Sequence, residues 1–61
     1  MKKVFDVYKF IDNMLMAGVP DDKIIRSLDV WAEKCHGLTK EEMIDKRGCS
    51  TTDLWMVEVE E

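Results

Sequence analysis

Histidine, proline and tyrosine occur once each in this 61-residue chain, glycine three times and cysteine twice. A single histidine excludes a multi-histidine metal centre, and two cysteines exclude the disulfide framework of a small secreted domain, because one bridge is the most they could form. There is no glycine-rich phosphate loop and no Ser/His/Asp set of workable spacing. No apolar run approaches membrane-spanning length, and Asp6, Lys9 and Asp12 interrupt the apolar stretch that a secretory signal opening on Met1-Lys2-Lys3 would need. A cytoplasmic location and reduced thiols are expected. Catalysis also requires a cleft, for which so short a chain has little room once its core is made, so the expectation is a protein without catalytic residues or cofactor.

Basic residues are missing from the end of the chain. Up to Arg47 there are nine acidic and nine basic side chains; from Gly48 to Glu61 there are four acids and no base. Because the lysines and arginines are dispersed and the overall pI is about 4.9, a general affinity for nucleic acid or anionic membranes is disfavoured.

What is present is apolar enough to fold: 46% hydrophobic residues, with two Trp, two Phe and five Met, against 36% charged. A chain of this size is one domain, residues 1–61, with an acidic segment at 48–61. Such a domain buries only about 60% of the surface its unfolded chain exposes, so its stability is a few kcal/mol and extra support, such as homodimerisation, is expected.

Helical spacing organises most of it. Val4, Val7, Tyr8, Ile11, Met14 and Leu15 form a stripe that predicts a helix over 3–17. Phe5, Phe10 and Met16 fall outside that stripe, which makes Phe5 and Phe10 candidates for contact with a partner. Gly18 ends this helix and Pro20 starts the next, with Asp21 and Asp22 at the positive end of its dipole. Ile24, Leu28, Trp31 and Cys35, broadened by Ile25 and Ala32, predict a helix over 20–36 that Gly37 closes, with His36 placed to bind carbonyls of the last turn. Thr39 with Glu42 is a capping box, and Leu38 with Met43 a hydrophobic staple, opening a third helix over 39–47 that Gly48 stops. The fold expected is therefore mainly α, three short helices plus a strand or short helix at about 51–59.

That last element carries the functional reading. Ser50 and Asp53 repeat the capping-box spacing, whereas Trp55, Val57 and Val59 alternate as one face of a strand. Nothing earlier reads as a second strand, so this segment is expected to pair with another subunit or with a partner's sheet edge. Trp55, Val57 and Val59 with Glu58, Glu60 and Glu61 then describe an apolar centre with an acidic rim, suited to a basic protein surface. Trp31, by contrast, is expected in the core.

Three sharper chemistries fare worse. Cys35, His36 and Cys49 have poor spacing for zinc, and adjacent residues on a helix point about 100° apart, so Cys35 and His36 do not readily share a proton. Asp21 and Asp22 lack further oxygen ligands for a cation. A helix-turn-helix reading makes 42–47 the scaffold helix, 48–50 the turn and 51–58 the recognition helix. Its exposed Thr51, Thr52 and Asp53 include no base to grip DNA, which leaves Lys2, Lys3, Lys40, Lys46 and Arg47 to do so. The expectation is a non-catalytic protein-binding module, regulator or inhibitor; the alternative is a dimeric DNA-binding regulator of the helix-turn-helix kind.

Overall fold

Asp6 divides the first predicted helix. Its extended backbone ends a strand, and its carboxylate accepts the Tyr8 N–H at 2.9 Å, capping a helix that starts only at Val7. In the computed structural model, which describes residues 1–60, β1 spans Lys2–Phe5 and α1 spans Val7–Met16. A long second helix, α2, begins at Asp21–Ser27, passes through a π turn at Leu28–Ala32 and ends at Glu33–Cys35. The third helix, α3, comprises Lys40–Glu42 and a second π turn, Met43–Arg47. A 3-10 turn at Asp53–Trp55 leads into β2, Met56–Val59. The fold is mainly helical, with three helices and a C-terminal strand; the first helix is shorter than its periodicity predicts.

The tail strand has its partner within the chain. β1 and β2 run antiparallel in the register Lys2–Val59, Lys3–Glu58, Val4–Val57 and Phe5–Met56. Lys2–Phe5 escapes sequence reading because Val4 and Val7 also satisfy a helical period. The pairing places Lys3 directly opposite Glu58, and Lys40 lies 3.5 Å from Asp53, so part of the acidic tail is balanced by bases elsewhere in the chain. β1 also bonds on its other edge: the Phe5 N–H donates to the Leu38 carbonyl at 2.7 Å and the Gly37 N–H to the Phe5 carbonyl at 2.9 Å. Gly37 does so at φ 84°, a conformation that any side chain would strain.

Phe5, Val7 and Phe10 from the first third meet Ala32 and Cys35 of α2, Met43 of α3 and Met56 of β2 in a single core. Phe5 and Phe10 are thus interior residues, 0% and 2% exposed, and not partner contacts. The π turn in α2 takes an extra residue into one turn, with the Glu33 N–H donating to the Leu28 carbonyl. Ala32 accordingly takes the fully buried place that regular helical spacing assigns to Trp31, which is only half-buried.

Local signals held where they were strongest. The Thr39 hydroxyl accepts the Glu42 N–H at 3.2 Å, and the Glu42 carboxylate accepts the Thr39 N–H at 3.1 Å. The Thr39 N–H comes first, and the Thr39 hydroxyl and Lys46 add to it, in holding the Glu42 carboxyl below the usual carboxylate range. Thr39→Ala is expected to cost about 1 kcal/mol, read as a lower urea midpoint. Since a depressed folded-state pKa stabilises above the unfolded value and loses that contribution as pH falls through the folded one, the wild-type protein should lose stability on acidification below the ordinary glutamate range. Glu42→Gln, which lacks the titrating carboxyl, should lose less across that interval. Identical acid sensitivity in both would show that the capping box does not carry it.

Candidate interaction surface

The residues singled out at the end of the chain are brought together, but largely inside. Trp55 packs edge-on against Phe10, ring centroids 4.8 Å apart, and against Phe5 at 6.3 Å. Trp31 completes the cluster, 5.0 Å from Phe10 and 5.9 Å from Trp55. Trp55 is half-buried at the margin of the core, and its carbonyl accepts the Asp6 N–H at 2.8 Å. It is a structural residue of this chain first. Val57 and Val59 are half-buried opposite Val4 and Lys2, while Glu58 and Glu60 are exposed; Glu61 lies outside the described residues.

The outer edge of β2 is partly closed. Lys9 of α1 donates through Nζ to the Met56 carbonyl at 3.0 Å, and Asn13 donates to the Leu54 carbonyl at 3.2 Å. Both bonds tie α1 to the tail and reduce what an incoming strand could use. An edge flanked by Glu58 and Lys3 is further protected by its charges.

The other chemistries take definite places too. The His36 imidazole binds no carbonyl of α2; its Nδ1 accepts the Val7 N–H at 3.1 Å, satisfying a free donor at the start of α1, and its ring stands edge-on to Tyr8. Among the described residues, no three of His, Cys, Asp and Glu gather as metal ligands. Residues 51–58 do not form a recognition helix, because only Asp53–Trp55 is helical and Met56–Val59 is strand. Ser50 and Asp53 form no capping box; Thr52 caps the 3-10 turn instead, accepting the Leu54 N–H. Lys2, Lys3 and Lys40 do converge on one shallow depression, but Glu41 and Asp53 share it and Lys40 is paired with Asp53. Lys46 is paired with Glu42 at 3.4 Å.

The apolar, acid-rimmed surface of this protein lies elsewhere, between α1 and α2. Ile11 and Leu15 from α1 and Ile24, Ile25 and Leu28 from α2 line a groove of about 280 Å³, with Asp21 at its end. Leu15 and Ile25 remain 52% and 62% exposed. On a helix, residues three and four apart are surface neighbours, so Asp12 stands beside Leu15, while Asp21, Asp22 and Asp29 stand beside Ile25. All four aspartates are exposed. Periodicity alone conceals this groove, because Ile11, Leu15, Ile24 and Leu28 belong to stripes that read as core; the available signal was Ile25, which made the second stripe wider than one core needs.

No protein-family model matches the chain, and no curated protein or solved structure is detectably similar to it. No helix among the described residues is long and apolar enough to cross a membrane.

Proposed function

We propose that the protein is a non-catalytic protein-binding module whose contact surface is the groove between α1 and α2. Its partner is an amphipathic helix with an apolar ridge flanked by lysine or arginine. The observation that carries this reading is an apolar floor lined by one aspartate, Asp21, and by no base, with Asp12, Asp22 and Asp29 exposed one helical turn from its exposed side chains. Helix-in-groove recognition needs both features, apolar contacts for affinity and complementary charge for steering and register.

Magnitudes place the interaction among weak, reversible ones. Fully burying a Leu or Ile contributes about 1.5–3 kcal/mol, and Leu15 and Ile25 have roughly half of that still to gain. The groove thus supplies a few kcal/mol before the entropic cost of association, and micromolar binding, about −8 kcal/mol, requires the charged rim and further contacts as well.

A helical peptide with a leucine ridge and lysine flanks tests this directly, against a control whose flanks are glutamate. The lysine peptide should shift the NMR amide signals of Ile11, Leu15, Ile25 and Leu28, with an affinity that falls as salt rises, and the control should not. Ile25→Lys should abolish binding while changing stability by less than about 0.5 kcal/mol, because the new lysine sits four residues after Asp21. Shifts confined to the tail would sink the groove reading. A full-length dimer that Ile25→Lys converts to monomer would assign the groove to a second copy of the chain.

A further inference from the structure

Cys35 is the last residue of α2 and is completely buried; Cys49 follows the turn that ends α3 and is half-buried. Gly48 makes that turn at φ 65°, its N–H donating to the Ile44 carbonyl at 3.0 Å, and the Cys49 N–H donates to the Met43 carbonyl at 3.1 Å. The chain is thereby folded back so that Cys49 packs against the core cluster to which Cys35 and Met43 belong. Both thiols thus belong to one packed cluster, and burial first, then the neighbouring Cys49 thiol, hold the Cys35 thiol above its ordinary range. The Cys49 thiol also lies 3.5 Å from the Arg47 carbonyl. Neither cysteine is in a disulfide, and His36 is occupied by the Val7 N–H, so among the described residues the pair is a free dithiol without a third ligand.

We infer that Cys35 and Cys49 are a reversible redox pair, with Cys49 the residue oxidised first and Cys35 the one that resolves it into an intramolecular disulfide. The order follows from access. Cys49 meets solvent and a small peroxide can reach it, whereas Cys35 is enclosed and held as the neutral thiol, a poor first nucleophile. In the first step the Cys49 thiolate attacks one oxygen of hydrogen peroxide; the O–O bond breaks, a Cys49 sulfenic acid forms and hydroxide leaves. In the second, the Cys35 sulfur attacks the Cys49 sulfur, the S–O bond breaks, and the Cys35 proton leaves with the hydroxyl group as water. Sulfur has given two electrons and peroxide has taken them. A thiol reductant reverses the bond by exchange at the accessible Cys49 sulfur.

The physical consequence is support for α3. This helix comprises only Lys40–Glu42 and the π turn Met43–Arg47, and it contributes one fully buried side chain, Met43. A Cys35–Cys49 bond closes the loop that contains the whole of α3 and removes its freedom in the unfolded chain. A small domain with little core thereby gains under oxidation the cross-link that larger proteins do without.

The test uses the full chain, reduced and then exposed to hydrogen peroxide. Intact mass should fall by two hydrogens, the product should remain one chain, and denatured samples should take up no iodoacetamide until dithiothreitol restores both thiols. The melting temperature of the bridged form should rise by on the order of 10 °C. Cys49→Ser, with its fold checked by circular dichroism, should leave Cys35 unoxidised at the same peroxide concentration. Three results overturn the inference: oxygen added at Cys49 while Cys35 stays alkylatable, a disulfide joining two chains, or a bridged form that melts below the reduced one.

Discussion

Phe10→Ala is expected to unfold this protein at room temperature. Phe10 is 2% exposed and touches every other member of the aromatic cluster, with ring centroids 5.9 Å from Phe5, 5.0 Å from Trp31 and 4.8 Å from Trp55. Truncating a buried phenylalanine to alanine costs about 3–5 kcal/mol, and each aromatic pair lost adds about 0.5–1.5 kcal/mol. Natural domains carry roughly 0.05–0.15 kcal/mol of stability per residue, so a chain of this size has only a few kcal/mol in total. The loss matches or exceeds the whole. Circular dichroism with a urea titration should show no cooperative transition for Phe10→Ala, whereas Phe10→Leu, which retains most of the volume, should melt cooperatively at a lower midpoint. A Phe10→Ala protein with a sharp transition near the parent's would mean that the aromatic cluster is not the centre of the fold.

Ending the chain at Thr52 should be as damaging, and for a reason unconnected with any partner. The cut removes Trp55 from the aromatic cluster, Met56 from the core and all four strand pairs. It also strips acceptors from three groups on the first third of the chain: the Asp6 N–H, Lys9 Nζ and the Asn13 side-chain amide. β1 would be left as a single strand, and even a two-stranded ribbon is marginal without packing behind it. The truncated chain should show no protected amides in α1 by hydrogen exchange. Val57→Pro is a gentler probe. Because the Asp6 N–H bonds to Trp55, the alternation of an antiparallel ladder makes Val4–Val57 a hydrogen-bonded pair, and proline there deletes a ladder donor. If either variant kept a cooperative fold, the sheet would be an accessory to the helices and the tail would again be available for another molecule.

These two results bear on how the tail is read. As sequence it is an apolar strand with acids around it and no visible mate, which describes a segment awaiting another molecule. In the folded chain Glu58 faces Lys3 across the ladder, Asp53 meets Lys40 and Trp55 leans on Phe10. The charge asymmetry along the sequence is thus partly evened out in the fold, where Asp53 and Glu58 are set beside bases from earlier in the chain. The surface proposed to meet a partner, apolar with an acidic rim, is built from α1 and α2 and not from the tail.

What could be read without coordinates was what neighbours in sequence settle between themselves. Residues 51–59 read as strand or short helix until pairing with β1 decides it, whereas the Thr39–Glu42 box, the positive-φ glycines at 18, 37 and 48 and the helical repeat of α2 each depend on residues within one or two turns. Their energies are local, and no distant contact reverses them. The arc of α1 that turns inward is a different kind of question. Val7, Tyr8, Phe10, Ile11, Met14 and Leu15 span an arc of about 160° at 3.6 residues per turn, so the hydrophobic effect picks out one side of the helix but does not say which part of that wide arc turns inward. Phe10 turns inward because Trp31 and Trp55 are there to meet it, leaving Tyr8 71% exposed and Leu15 at the groove. Lys2–Phe5 is a strand for the same reason: four residues that fit either period take the one whose hydrogen bonds Met56–Val59 can complete, and that choice exists only once the two ends of the chain have met.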